Sequence, residues 1–181
     1  MPKTEIKIGG FGGQGVILSG YILGRAASIF DTKYATMIQA FGPEARGSSC
    51  SAQLIVSDEA ITYPYITDPS LMIIMSQEAY TKYSPELAKG GMLITEEELV
   101  VTHNLRKDII HYSIPATRFA EELGKRIVVN IIMIGFTAAL SGVVSANAAR
   151  EAVKVSVPKG TEQFNLKAFQ KGYDYGLSLR S

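Results

Sequence analysis

Apolar residues recur along this chain in two rhythms, at alternate positions and at a spacing of three to four, and the two rhythms take turns. Residues 5–8 alternate as a first strand and run into five glycines between positions 9 and 15. Helical spacing follows over residues 15–30, where Val16, Leu18, Ile22, Leu23, Ala26, Ala27 and Ile29 form one broad apolar face. A turn at Asp31 and Thr32 leads to a second strand over 34–39. After a loop over 40–49, a third strand spans 51–57. Residues 61–65 form a short extended piece held by Pro64, and 71–75 are apolar throughout, as in a strand buried on both faces. Helical segments over 77–83 and 85–88 end at Gly90 and Gly91, in the way glycine commonly closes a helix. Strands are expected at 92–95 and 108–112, with a further short piece at Val100 and Val101.

The carboxyl half turns helical. Residues 115–123 form a helix ending at Gly124, and 127–140 form a strongly apolar one. Ser145 caps a helix over 145–153, and Thr161 caps a last helix over 162–178. This alternation predicts an α/β fold: a three-layer, Rossmann-like, mainly parallel sheet with helices on both faces and the glycine turn at its carboxyl edge. No repeat or linker divides the chain, so residues 1–181 are read as one domain.

The glycine turn is the first candidate for chemistry. Gly10, Gly12 and Gly15 have the spacing that permits a tight turn, close approach of a ligand to bare backbone, and close packing of helix on strand. Together with Gly13 and Gln14 they precede a helix whose first N–H groups and positive dipole end favour an anion. The same glycines suit close packing against another subunit, and both readings stand at this level. A dinucleotide fold would place an acidic residue at the end of the second strand to hold the ribose hydroxyls. That strand ends in Gln39, and Asp31 precedes it, so the reading as a stand-alone nucleotide-binding domain loses its main support.

Composition narrows the functions further. The net charge of +1 supplies no field to draw nucleic acid or an anionic membrane. Charged residues make up 19% of the chain where about 25% is usual, and the mean hydropathy is +0.12; both point to a surface partly covered by partners. Cys50 is the single cysteine, which excludes an internal disulfide and a cysteine-ligated iron–sulfur cluster or zinc site built by this chain alone. By the buried habit of free cysteine, Cys50 reads as a small strand residue, and His103 and His111 as ordinary polar positions. Residues 1–8 lack the apolar core and cleavage site of a signal peptide, so a cytoplasmic location is expected. The 23 residues between Arg126 and Arg150 carry no charge. Asn130, Thr137, Ser141, Gly142, Ser145 and Asn147 nevertheless break the run into two core helices, so no membrane span is expected. The signatures of serine hydrolases, P-loop enzymes and zinc proteases are missing.

Two motifs with their flanking residues resemble a known family. They are Gly9-Gly10-Phe11-Gly12-Gly13-Gln14-Gly15 and, about 30 residues later, Gly42-Pro43-Glu44-Ala45-Arg46-Gly47; Tyr63-Pro64 and Asn165 with Ala168 and Gly172 accompany them. Over nearly its whole length the chain is similar to the gamma subunit of 2-oxoacid:ferredoxin oxidoreductases. It is most similar to the 2-oxoglutarate branch, with the pyruvate and branched-chain enzymes as alternatives. Family members often have a second glycine after the Arg-Gly pair, where this chain has Ser48. The resemblance implies a complex that oxidatively decarboxylates a 2-oxoacid to an acyl-CoA and passes electrons to ferredoxin. Thiamine diphosphate, Mg²⁺ and iron–sulfur clusters would then lie on alpha, beta and, where present, delta subunits, and the isolated chain would bind none of them. On this basis Gly10, Gly12, Gly13, Gln14 and Gly15 are candidates for an anion or CoA phosphate. Gly42, Pro43, Glu44, Arg46 and Gly47 are candidates for an interface or substrate-facing loop, exposed in the free subunit. Within that loop Arg46 has two readings, an anion clamp or an ion pair with Glu44 that pins the loop.

Overall fold

The computed structural model describes residues 3–41 and 48–180. Six strands form one sheet in the order β2-β3-β1-β4-β5-β6. They are β1 (Lys3–Phe11), β2 (Tyr34–Phe41), β3 (Ser49–Ser57), β4 (Leu71–Ile74), β5 (Met92–Glu96) and β6 (Ile110–Ile114). β1, β4, β5 and β6 are mutually parallel, with Ile8 beside Ile73 and Ile73 beside Ile94. β3 runs antiparallel to both β1 and β2, with Ile8 opposite Ala52 and Gln39 opposite Ala52 on the other side. The reversal follows from length: seven residues join β2 to β3, too few for the helical crossover that a parallel pair requires.

Among the described residues six α-helices accompany the sheet: α1 (Val16–Arg25), α2 (Gln77–Tyr83), α3 (Ala116–Leu123), α4 (Val129–Ser141), α5 (Ala146–Ser156) and α6 (Glu162–Ser178). The expected first helix is continuous to Phe30, but its last turn, Ala26–Phe30, widens to π geometry. Alternation sorts the strand residues between the two faces. Ile6, Ile8, Leu54, Val56 and Ile73 meet the helices of the larger layer, in a core that includes Ile132, Phe136 and Phe169. Met72, Ile74 and Leu93 meet Ala79, Tyr80 and Tyr83 of α2 on the other face. Both faces are therefore covered as expected, unequally.

Two features of the larger layer come from small residues. Gly135 of α4 and Gly172 of α6 each stand where an added Cβ would overlap the backbone carbonyl of the opposite helix, at Phe169 and Ile132 respectively. The helices thus cross backbone to backbone. Asn165, at the start of α6, donates to the Thr161 carbonyl at 2.9 Å, the local role that its position suggests. Thr161 precedes α6 as expected, yet its hydroxyl donates to the Pro158 carbonyl and caps nothing, while Glu162 accepts from the Gly160 N–H. Ser145 does cap α5, accepting from the Ala148 N–H at 3.1 Å.

The expected extended pieces at 61–65 and 100–101 are not strands. At Val101 a side chain takes the place of a ladder partner. Gln77 accepts from the Val101 N–H at 2.7 Å and donates to its carbonyl at 3.1 Å. The segment after β3 is fastened by Glu5, whose carboxylate accepts from the N–H groups of Thr67 and Asp68, each at 2.7 Å, and pairs with Lys3 at 2.6 Å. Burial pushes the Glu5 carboxyl up, but Lys3 and the two N–H donors outweigh it and hold the group below its ordinary value. A carboxylate so depressed stabilises the fold above its unfolded pKa, about 4.3, and loses that contribution as the pH falls through the lower folded value. Glu5→Gln should therefore cost about 1–3 kcal/mol at pH 7. The gap in melting temperature from the parent chain should close as the pH is lowered below about 4; a gap that stays constant across that range would mean that the charge is not what matters.

Candidate functional site at the carboxyl edge of the sheet

The carboxyl ends of β1, β4 and β5 open on the same edge as the glycine turn, the place where open α/β sheets bind ligands. Gly9 and Gly10 belong to the end of β1, and the chain turns through Gly13 and Gly15, at φ 93° and 75°, conformations that favour glycine. Gln14 braces this turn from inside. Its Oε1 accepts from the Phe11 N–H at 2.6 Å, and its Nε2 donates to the Met75 carbonyl at 2.9 Å, just beyond β4. A side chain at Gly10 would strike Gln14 and Val16. The side-chain amide of the motif's glutamine is thus a strut across two strand ends.

α1 begins at Gly15 without a side-chain cap, so its first-turn N–H groups are left for a ligand or a partner. The Gln14 N–H is not among them, since it donates to the Phe11 carbonyl at 3.2 Å. Asn130 of α4 packs against Gly15, leaving no room for a Cβ, and its amide donates to the Gly15 carbonyl at 3.4 Å. Of the five glycine-turn candidates, Gly10 and Gly15 serve close packing and Gln14 bracing. Gly12 and Gly13 have open space around them.

Two cavities flank the turn. The larger, about 380 Å³, lies between the turn, the first residues of α1, Phe41, Cys50 and Asn130. The smaller, about 260 Å³, lies between Gly13, Gln14, Leu99, Thr117, Arg126 and Val129. Ile127 borders both and is 81% exposed. Cys50 is buried in β3, and burial pushes its thiol up, which disfavours the thiolate. His111 is half-buried in β6 with its imidazole depressed by burial, 2.9 Å from the Thr95 hydroxyl; it lies outside both cavities.

The smaller cavity rests on Glu96, the last residue of β5, which is fully buried. Its Oε2 accepts from the N–H groups of Glu98 and Leu99 at 2.8 and 2.7 Å, and its Oε1 from that of Thr117 at 3.0 Å. One carboxylate thereby fixes both the loop after β5 and the start of α3. Neither Glu96 nor Thr117 stood out in the sequence. The available signal was an acidic residue closing a buried strand ahead of a helix start. Residues 42–47, which carry the Gly42, Pro43, Glu44, Arg46 and Gly47 candidates, lie outside the described residues. The second strand ends near Gln39 as expected, with its amide donating to the Tyr21 hydroxyl at 3.1 Å. The strand beside β1 on that side is the reversed β3, whose carboxyl end lies at the opposite edge from the glycine turn, so the usual ribose-binding position does not exist here. Among the described residues no helix is long and apolar enough to cross a membrane.

Comparison with known proteins agrees with this architecture. Residues 5–175 match the profile of the family described as pyruvate ferredoxin/flavodoxin oxidoreductase. The chain is 44% identical to 2-oxoglutarate synthase subunit KorC of Methanocaldococcus jannaschii, covering 98% of this chain and 96% of that one. Relatives named for ketoisovalerate and pyruvate enzymes are less similar, at 26–29% identity. The crystal structure of a keto/oxoacid ferredoxin oxidoreductase gamma subunit from Geobacter sulfurreducens superposes with a TM-score of 0.85 at 38% identity, covering 97% of this chain and 99% of that one. The fold also recurs, with a TM-score of 0.84 at 20% identity, in 2-oxoglutarate:ferredoxin oxidoreductase from Magnetococcus marinus, where the match covers 98% of this chain but 32% of that one.

Proposed function

Since the chain belongs to the pyruvate ferredoxin/flavodoxin oxidoreductase family, we propose that it is the gamma subunit of a cytoplasmic 2-oxoglutarate:ferredoxin oxidoreductase. The full-length similarity to KorC carries this reading, because it is well above the similarity to relatives named for other 2-oxoacids. The complex would convert a 2-oxoacid, CoA and oxidised ferredoxin to an acyl-CoA, carbon dioxide and reduced ferredoxin. Thiamine diphosphate, Mg²⁺ and the iron–sulfur clusters belong in this reading to the alpha, beta and delta subunits. The single cysteine of the sequence supports that division, because one thiolate cannot ligate a cluster.

This chain's own part is to form one wall of the entrance through which CoA approaches. The uncapped start of α1 and the open backbone at Gly13 suit one phosphate of CoA in the larger cavity, while the Gly12 N–H already donates to the Ser48 carbonyl at 3.2 Å. Arg46 and its loop, residues 42–47, lie between β2 and β3 in the sequence, and Phe41 at the end of β2 borders the same cavity. Their role at the interface or facing substrate rests on the family resemblance. The test is the substrate preference of the assembled complex: 2-oxoglutarate should give the highest kcat/KM for ferredoxin reduction. A preference for pyruvate or a branched-chain 2-oxoacid would assign the chain to another branch.

A further inference from the structure

Asn130 of α4 is 3% exposed, and the surface it keeps borders the larger cavity. Its orientation is fixed by Gly15. The Gly15 carbonyl can only accept, so the side-chain nitrogen of Asn130 faces it at 3.4 Å and the oxygen, Oδ1, faces away. Among the described residues Oδ1 has no hydrogen-bond partner. Thr117 Oγ1 is the single side-chain oxygen or nitrogen among them that is both unpartnered and sealed from solvent, so Oδ1 is open to the cavity. A polar atom fixed in a cavity wall, with water as its alternative, is placed to receive a donor from a ligand.

Val16, Ile17 and Leu18 line the same cavity and open α1. Their N–H groups have no acceptor in the helix; the Ser19 N–H is the first to find one, the Gly15 carbonyl at 2.9 Å. The cavity therefore sets a row of donors, suited to a phosphate, beside an acceptor that repels one. Inorganic phosphate would use the donors and leave Oδ1 unmatched. A phosphate ester with a hydroxyl on the adjoining chain would use both. The remaining walls include Phe11, Phe41 and Ile127, which suit a branched hydrocarbon better than a ribose that is polar on several sides. At about 380 Å³ the space falls within the roughly 300–1,000 Å³ usual for small-molecule sites. CoA offers a chain of this kind, since the pantoyl segment that leaves its diphosphate is dimethyl-branched and carries a single hydroxyl.

We propose that Asn130 Oδ1 accepts a hydrogen bond from the pantoyl hydroxyl of CoA while the first-turn N–H groups of α1 hold the adjoining phosphate. Asn130 then selects for the CoA arm over a bare diphosphate. The inference rests on the functional reading above. It is tested in the assembled complex by comparing the KM for CoA with that for an analogue whose pantoyl hydroxyl is replaced by hydrogen, with inorganic pyrophosphate as a competitor. In the parent complex the analogue should have a KM about tenfold higher at unchanged kcat, the loss of one good hydrogen bond. Asn130→Leu keeps the bulk and removes the acceptor. It should raise the KM for CoA about tenfold, bring the two KM values together, and leave inhibition by pyrophosphate as in the parent. Asn130→Ala makes the same comparison where leucine blocks assembly. Equal KM values in the parent complex overturn the proposal, since the hydroxyl then has no partner. A tenfold gap that survives both substitutions also overturns it, because the hydroxyl then binds elsewhere. If the variants weaken pyrophosphate as much as CoA and melt at a lower temperature, Asn130 only supports the Gly15 turn, and the proposal falls. The parent complex separates the two claims. Without CoA-dependent turnover the functional reading falls along with the Asn130 contact; with turnover but no gap between CoA and its analogue, the contact alone falls.

Discussion

Gly172→Ala should remove about 3 kcal/mol or more from the stability of this chain, a drop of roughly 6–12 °C in melting temperature for a protein of this length. The added methyl would overlap the Ile132 carbonyl, and a backbone carbonyl in mid-helix cannot rotate away as a side chain can. α6 would have to move off α4, opening a core that contains Phe136 and Phe169, both fully buried. Gly135→Ala should behave alike, because its methyl would meet the Phe169 carbonyl from the opposite helix. A contrast is built into the same chain: at Gly12 nothing lies within 4 Å of an added Cβ, so alanine there should cost less than about 1 kcal/mol. Thermal unfolding of the three variants checks the claim. A Gly172→Ala chain that melts with the parent would mean that the helices do not cross backbone to backbone.

The second large effect is expected at Glu96. Glu96→Ala would leave the buried N–H of Thr117 and the part-buried N–H groups of Glu98 and Leu99 without their acceptor. Each unpaired buried donor costs about 1–3 kcal/mol, less whatever water can recover. Since water can reach the N–H groups of Glu98 and Leu99, a loss of about 2–4 kcal/mol is expected, together with loosening of the start of α3 and of Leu99. Glu96→Gln keeps the shape and one acceptor oxygen and should fall between the two. Hydrogen exchange locates the damage: the amides of Glu98, Leu99 and Thr117 should lose protection first in either variant. If they keep parent-like protection while the chain as a whole is destabilised, the carboxylate is not what holds them.

Much of the architecture is legible in the hydrophobic pattern, because most buried strands and helices here follow their own periods. The strongly apolar 71–75 segment and the α6 limits at Glu162 and Ser178 are examples. What misleads is local extension without pairing. Residues 61–65 and 100–101 have strand-like composition, but neither joins the sheet; the backbone of Val101 is satisfied by the side chain of Gln77, 24 positions away, and the chain just past 61–65 is held at Thr67 and Asp68 by Glu5, links that no local pattern encodes. The glycine turn was legible as a turn before a helix, whereas the division of labour inside it was not. Gln14 reads as a polar residue facing a ligand, and only the positions of Phe11 and Met75 reveal it as a strut. Gly172 illustrates the converse. It entered as a residue of family likeness, and its meaning is the approach of α6 to α4. Thr117 and Glu96 were invisible for the same reason, since a lone threonine or glutamate acquires significance through the distant groups it meets or fails to meet.

The central claim is that this chain completes a 2-oxoacid:ferredoxin oxidoreductase without carrying its redox centres. Reconstitution by omission and add-back tests it most directly. Companion subunits purified without this chain are assayed for 2-oxoglutarate-dependent and CoA-dependent reduction of ferredoxin, and the purified chain, free of thiamine diphosphate and iron, is then added in increasing amounts. The expected result is little CoA-dependent turnover without the chain and restoration that saturates at a fixed stoichiometry. Full turnover in its absence, or iron–sulfur absorbance in the isolated chain, would contradict the claim.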